Sequence, residues 1–137
     1  MTTKTKIQTQ RYYEALGGRK TAHARARISE GASGMLVNGA EYTSYFKTAK
    51  QRAAILAPFK ELNIAERFNA SVMVHGGGIN AQAEAARNAL AKAIVKFDES
   101  FRKRLRHFGY MTRDARMVER KKYGHKKARR APQWKKR

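Results

Sequence analysis

The stretch FNASVMVHGGGINAQAEAARNALAKAIVKF, residues 68–97, places two hydrophobic periods on either side of three glycines. Apolar and polar side chains alternate in residues 68–75, and a period of two is typical of a strand with one buried face. After the glycines, apolar residues recur at spacings of three and four, which indicates one face of a helix. That stripe comprises Ile79, Ala83, Ala86, Leu90, Ala93 and Phe97. The stretch therefore predicts a central strand that leads into a long helix.

The three glycines, Gly76, Gly77 and Gly78, have two interpretations. Glycines before a helix can expose backbone N–H groups to a phosphate, and a nucleic-acid backbone would supply one. They also permit a tight turn with positive φ. A nucleotide-binding loop is disfavoured, because Ile79 and Asn80 stand where that motif requires Lys followed by Ser or Thr.

A β-hairpin is expected upstream of the central strand. A tyrosine-rich strand over residues 11–16 precedes Gly17-Gly18, which reads as a turn, and TAHARARI, residues 21–28, alternates as a second strand. Its inner face carries small apolar residues, while its outer face carries a polar row that includes His23, Arg25 and Arg27. This row is either a solvated strand face or a line of phosphate contacts.

The remaining patterns complete an α+β prediction. A short strand over residues 35–37 ends at Asn38-Gly39, helices follow over 41–46 and 48–57, and Pro58 marks a break. A further basic helix covers residues 99–108. We therefore expect a roughly four-stranded sheet with helices on one face. Residues 1–9 should be disordered, residues 10–108 globular, and residues 109–137, here called the arm, an extended basic tail.

The charge of the chain indicates the class of its partner. The 137 residues contain 31 basic and 10 acidic side chains, for a net charge of +21. Residues 100–137 hold 16 of the basic residues and two of the acidic ones. Such an arm cannot offset its ordering entropy alone and should settle on a polyanion. Charge alone does not distinguish RNA from DNA, so an architectural DNA-binding protein remains an alternative.

Other functional classes are disfavoured. Without cysteine there is no disulfide or thiolate metal site, and the four histidines show no metal-ligand spacing. No catalytic constellation or cofactor motif is present, so we expect no enzyme, cofactor, metal or small-molecule substrate. A membrane-binding arm would need a broad apolar helix face, and Gly124 and Pro132 interrupt any helix there. We expect a soluble, cytoplasmic protein with no membrane partner.

Two long motifs resemble one family. GGGINAQAEAARNALAKAI, residues 76–94, is similar to the signature of the universal small-subunit ribosomal protein nine family, and TRDARMVERKKYG with KKARRAPQWKKR resembles the tail of its bacterial form. The resemblance implies a fold like the second domain of ribosomal protein five, with a left-handed βαβ crossover. It also implies a place in the head of the small subunit, among neighbouring head proteins and on 16S rRNA, with the tail tip touching peptidyl-site tRNA. The architectural alternative is then a protein that acts off the ribosome.

These considerations together give a set of candidate contact residues. Those expected to bind rRNA are Arg11, Arg19, Lys20, His23, Arg25, Arg27, Gly76, Gly77, Gly78, Arg113, Arg116, Arg120, Lys121, Lys122, Lys126, Lys127, Arg129 and Arg130. Those expected to bind tRNA are Lys135, Lys136 and Arg137.

Overall fold

The computed structural model describes residues 11–31 and 33–136. The predicted disorder of residues 1–9 and the predicted tRNA contact of Arg137 lie outside the described residues. The strands are β1 (Tyr13–Arg19), β2 (Ala22–Glu30), β3 (Gly34–Val37), β4 (Ala40–Glu41) and β5 (Phe68–His75). The helices are α1 (Tyr42–Tyr45), α2 (Ala49–Leu62), α3 (Ile79–Phe97) and α4 (Arg102–His107), with a 3-10 turn at Glu99–Phe101 before α4.

Within the described residues, five strands form one sheet in the order β1-β2-β5-β3-β4. β2 runs antiparallel to β1 and β5, whereas β3 runs parallel to β5. The prediction of about four strands missed β4, which is only two residues long. It forms because Asn38 and Gly39, with φ of 50° and 81°, make the turn that sends the chain back along β3.

The sheet buries one face and leaves the other open. In β2 the inward residues Ala22, Ala24, Ala26 and Ile28 are at most 2% exposed, and in β5 the inward residues are at most 5% exposed. The outward residues of both strands are exposed, except for Ser29, which is half-buried. The predicted alternation is therefore confirmed, and helix α3 packs against the inner face of β1 and β2.

Helix α3 is buried more widely than a single stripe predicts. It contacts the sheet on one side and α2 on another, so Ala81, Ala85 and Ala91 are also buried. The expectation for Ile79 was wrong, because this residue lies in the first turn beside the exposed glycine loop and is 52% exposed. A helix enclosed on two sides can lose its amphipathic pattern.

The predicted break at Pro58 was also wrong, since α2 continues through this residue to Leu62. Proline removes one backbone donor from a helix interior, which is unfavourable. Here Pro58 is fully buried on the same face as Ile55, Phe59 and Leu62. Burial of this face offsets the lost hydrogen bond, which local sequence cannot reveal.

The predicted turn at Gly17-Gly18 was wrong as well, because both glycines lie inside β1 and the chain turns at Lys20-Thr21. A Cβ added at Gly17 would lie 2.4 Å from both the Ala85 carbonyl oxygen and the Ala89 nitrogen. The glycine is therefore needed for the close approach of α3 to β1 rather than for a turn.

Basic side chains from other elements reach the edge strand β1. The Lys96 ammonium donates to the Glu14 carbonyl oxygen at 2.7 Å, and the Arg113 guanidinium donates to the Lys20 carbonyl oxygen at 3.0 Å, just beyond the end of the strand. Carbonyl groups at both ends of this edge region therefore have cationic partners.

We predict that Gly17→Ala lowers the free energy of unfolding by about 1–3 kcal/mol, because the added methyl group overpacks the contact with α3. The matched control is Gly34→Ala in β3, whose added Cβ would meet only the Asn69 side chain, with its oxygen at 3.4 Å. That control should stay within about 0.5 kcal/mol of the wild type. Urea unfolding followed by circular dichroism measures both, and equal values for the two variants would contradict the assigned role.

Candidate nucleic-acid interface

The outward row of β2 carries cations that are partly neutralised. Arg27 Nε lies 2.6 Å from Glu14 Oε2, and Arg25 Nε lies 3.5 Å from Glu14 Oε1. The hydrogen bond from Arg27 is the main cause that lowers the pKa of Glu14. The side chains of Arg25 and Arg27 remain about half exposed, at 51% and 46% respectively. They can still donate to an anion from the open face of the sheet.

Several predicted residues converge on the turn between β1 and β2. Gly76 and Gly77 have φ of 72° and 60°, and an added Cβ would crowd Thr21 in this turn and Ala22 at the start of β2, respectively. His23 lies opposite His75, with ring centroids 5.7 Å apart. The turn interpretation of the first two glycines is therefore confirmed, and the predicted phosphate contact of the loop stays a prediction.

Gly78 differs from its two neighbours. It precedes α3 with φ of −96°, and an added Cβ would meet nothing within 4 Å. The Gln82 side chain donates to the Gly76 carbonyl oxygen at 3.0 Å and holds the loop against the helix. The exposed loop and the two histidines thus form one surface with the β1–β2 turn.

Arg19 joins the arm to the body of the protein. Its Nε donates to Glu84 Oε2 at 2.7 Å, and its Nη1 donates to the Arg116 carbonyl oxygen at 2.6 Å. Its Nη2 lies 3.5 Å from Asp114 Oδ2, and the side chain is only 14% exposed. Its rRNA contact stays a prediction, but in this structure its donors point to protein oxygens.

Residues that sequence reasoning missed hold the start of the arm. Asn88, 5% exposed, donates to the carbonyl oxygens of Tyr110 at 2.8 Å and Thr112 at 3.3 Å. The guanidinium of Arg87 lies 5.0 Å from the centre of the Tyr110 ring. Neither side chain is among the candidate contact residues that the sequence indicated. A polar residue at a buried helix position is the signal that marks Asn88, but its partner is not visible in the sequence.

Asp114 stabilises the same junction. Its carboxylate accepts hydrogen bonds from the Arg116 side chain, with Nη2–Oδ2 at 2.8 Å, and from the Arg116 backbone nitrogen at 3.0 Å. These bonds, aided by the charges of Arg116 and Arg19, hold the pKa of Asp114 well below its usual range. The carboxylate therefore remains an ionised acceptor for these arginine partners at lower pH than an ordinary aspartate would.

Further along, the arm folds back on itself over residues 119–130, a segment we call the arm loop. Glu119 accepts from Arg129 at both oxygens, with distances of 2.6 and 2.9 Å, and lies 3.7 Å from Lys122 Nζ. The Lys126 backbone nitrogen donates to the Arg130 carbonyl oxygen at 2.8 Å. Hydrogen bonding from Arg129 is the main cause that lowers the pKa of Glu119.

The rest of the arm is open to solvent. No helix or strand lies between residues 108 and 136, and Tyr123 and Trp134 are 101% and 87% exposed. Exposed aromatic rings among cations suit stacking on bases. The other predicted arm cations that the structure describes are exposed as well: Arg113, Arg116, Arg120, Lys121, Lys122, Lys126, Lys127, Arg129, Arg130, Lys135 and Lys136. Arg11 and Lys20 are also exposed.

Within residues 11–31 and 33–136, no group of three or more histidine or carboxylate side chains could hold a metal ion. None of the described helices combines the length and apolarity needed to cross a membrane.

Comparison with known proteins places the chain among ribosomal proteins. A family model described as "Ribosomal protein S9/S16" matches residues 17–137. The small ribosomal subunit protein uS9 of a Thermus thermophilus strain is 42% identical over 125 residues, which cover 91% of this chain and 98% of that protein. The uS9 protein of Cytophaga hutchinsonii is 43% identical over 123 residues, or 90% and 96%. The uS9m protein of Eremothecium gossypii is 45% identical over 123 residues, 90% of this chain but only 44% of that longer protein.

We predict that Arg19→Gln loosens the start of the arm without unfolding the body. The Arg116 amide donates to Asp114 Oδ1, and Arg19 holds both Asp114 and the Arg116 carbonyl oxygen in place. Without Arg19 this amide should exchange with solvent about tenfold faster, which corresponds to the loss of about one charge-assisted hydrogen bond. Hydrogen exchange followed by NMR measures this rate. Arg102→Gln, which removes an exposed arginine paired with Glu99 away from the arm, is the control and should change nothing there. Unaltered exchange in Arg19→Gln would refute the anchoring role.

Proposed function

The chain belongs to the ribosomal protein S9 family, and from that premise we propose that it binds 16S rRNA in the head of the small subunit through its body and its arm. As a member of the family it is a structural protein of the small ribosomal subunit and not an enzyme. Its membership implies rRNA and other subunit proteins as partners. The finer points below are proposals.

The arm carries the proposal. Residues 113–136 hold 11 basic side chains and two acidic ones, and both acidic side chains are engaged by arginines of the same chain. The start of this polycation is fixed to β1 and α3 by Arg19 and Asn88. A polycation held at a defined point on a folded body can neutralise backbone phosphates along a defined path. Folded RNA offers such a path, with bases available for Tyr123 and Trp134.

We propose that the body contributes a second group of contacts. The β1–β2 turn, the His23–His75 pair and the Gly76–Gly78 loop form a surface beside the start of the arm. Arg25 and Arg27 extend it along the open face of the sheet. Their pairing with Glu14 reduces their net charge, so we expect them to position the RNA backbone more than to supply affinity.

The division of the chain and its place in the cell are part of the same proposal. We propose a globular unit over residues 10–108 and an RNA-binding tail over residues 109–137, with a left-handed crossover between the parallel strands β3 and β5. A ribosomal location follows from the family. Since its relatives include bacterial and mitochondrial forms, cytoplasmic location stays a prediction.

We further propose that the tip of the arm contacts peptidyl-site tRNA through Lys135, Lys136 and Arg137. The described lysines of the tip are exposed. Nineteen residues from Glu119 to the end can span up to about 60 Å when extended, although closure of the arm loop shortens this reach. Lysine and arginine would position the tRNA backbone rather than read bases.

The proposed function predicts that a tagged copy of the protein co-sediments with small subunits in a sucrose gradient. A copy in the nucleoid fraction would instead support an architectural DNA-binding role and overturn the assignment. The fraction bound should fall with salt, with a slope of log K against log salt of about −6 to −7 if about eight phosphates are neutralised.

The arm's share of this binding is tested by changing Lys121, Lys122, Lys126 and Lys127 to Gln. All four are exposed and lie outside the core, so the fold should persist. Loss of four phosphate contacts should make the slope shallower by about 3. An unchanged slope would mean that the arm does not lie on RNA.

For the tip, we predict that K135Q/K136Q/R137Q raises the dissociation constant for peptidyl-site tRNA on isolated small subunits by about tenfold, from modest losses at each contact. Incorporation into subunits should remain nearly normal, because the rest of the arm still binds rRNA. The charge-matched control is K50Q/K60Q/K103Q, three exposed lysines outside the arm. Equal tRNA affinities for both triple variants at matched salt and magnesium would rule out the tip contact.

A further inference from the structure

Glu119 is an unexpected residue to find in a segment that attracts phosphate. The arm loop, residues 119–130, contains seven basic side chains and Glu119 as its one acidic side chain. A carboxylate among cations repels phosphate, so its presence needs a physical reason. The structure supplies one, because both carboxylate oxygens accept from the Arg129 guanidinium ten residues later in the chain.

The backbone reverses its direction within the segment that this ion pair closes. Gly124 adopts φ of 73°, and the His125 nitrogen donates to the Lys122 carbonyl oxygen, so the chain reverses within the loop. The Lys126 nitrogen donates to the Arg130 carbonyl oxygen on the returning side. Mutual repulsion of the cations opposes this reversal, and the carboxylate between Arg129 and Lys122 relieves part of it.

We propose that Glu119 is a positioning residue that closes the arm loop through Arg129 and so shapes it for RNA before RNA binds. The proposal rests on the proposed rRNA-binding function of the arm. Closure presents the other six loop cations on a compact surface: Arg120, Lys121, Lys122, Lys126, Lys127 and Arg130. A pre-shaped loop loses less conformational freedom on binding than an extended chain does. Glu119 itself need not touch RNA.

The direction in which RNA affinity changes in one variant tests the proposal. Glu119→Gln removes one negative charge, so electrostatic attraction alone predicts tighter binding to RNA. If closure matters, the same variant binds more weakly. Because the Glu119–Arg129 pair is exposed to solvent, we expect a loss of about two- to fivefold in affinity.

The matched control is Glu66→Gln. Glu66 is an exposed glutamate between α2 and β5, and no ion pair involves it within the described residues. This variant removes the same charge away from the arm and should bind as tightly as the wild type or slightly more tightly. A second variant, E119R/R129E, exchanges the two partners at constant net charge. It should restore affinity to within about twofold of the wild type.

Binding is measured with full-length protein on small-subunit particles assembled without this chain, and separately on a length-matched non-ribosomal RNA. Circular dichroism and urea midpoints should agree among all variants, since the loop lies outside the core. NMR provides a structural readout, in which solvent exchange of the Arg129 Nε proton is slow in the wild type and fast in Glu119→Gln. The exchanged pair should slow exchange at the arginine placed at position 119.

Affinity of Glu119→Gln equal to or tighter than that of Glu66→Gln would overturn the proposal. So would a charge exchange that leaves binding as weak as in Glu119→Gln, since the carboxylate would then act without Arg129. Failure of the proposed function is separate: the wild type would not enter the particles. The ranking of the variants by affinity for the non-ribosomal RNA would still decide whether Glu119 shapes the loop.

Discussion

The close approach of α3 to β1 at Gly17 is the contact on which the rest of the structure depends. The absence of a side chain at Gly17 lets the backbone of Ala85 and Ala89 lie directly on the strand. This approach sets the height of α3 above the sheet and therefore the places that its polar side chains can reach. Glu84 meets Arg19 two residues along β1, and Asn88 reaches the carbonyl groups at the start of the arm. The arm is attached where it is because a helix and a strand touch through small residues.

Sequence patterns predicted the elements well where burial is one-sided and regular. The alternation in β2 and β5 and the helical period of α3 were sufficient to identify these three elements, because each pattern repeats over two or more turns or pleats. Gly17-Gly18 was misplaced because a glycine needed for close packing and a glycine needed for a turn look alike in sequence. Moving the turn changes the register of the hairpin, so the pairing of Glu14 with Arg27 could not be foreseen. Pro58 and β4 depend on tertiary burial and on a two-residue pairing, and neither leaves a local signal.

The sequence predicted that the candidate interface is positively charged, but it did not predict which side chains contact one another there. Counting cations located the arm and the outward row of β2. The count could not separate exposed cations from those engaged with the protein itself. Arg19 is largely buried against Glu84 and against Asp114 and Arg116 of the arm, which lie 95 and 97 residues later in the chain. The fold determines which distant residues meet Arg19. The family motif is a local stretch of sequence and does not reveal these partners. The acidic residues Asp114 and Glu119 turned out to be as informative as the basic ones, since each holds a part of the arm in place.

The edge of β1 affects how two free copies of the protein can meet. An edge strand of seven residues is a template for pairing with another copy, and such pairing leads to aggregation. Lys96 and Arg113 donate to carbonyl groups near the two ends of this edge. A second chain pairing along β1 would have to displace Lys96 from the Glu14 carbonyl group and bring two strongly positive molecules together. The net charge of +21 therefore opposes association of two free copies through this edge.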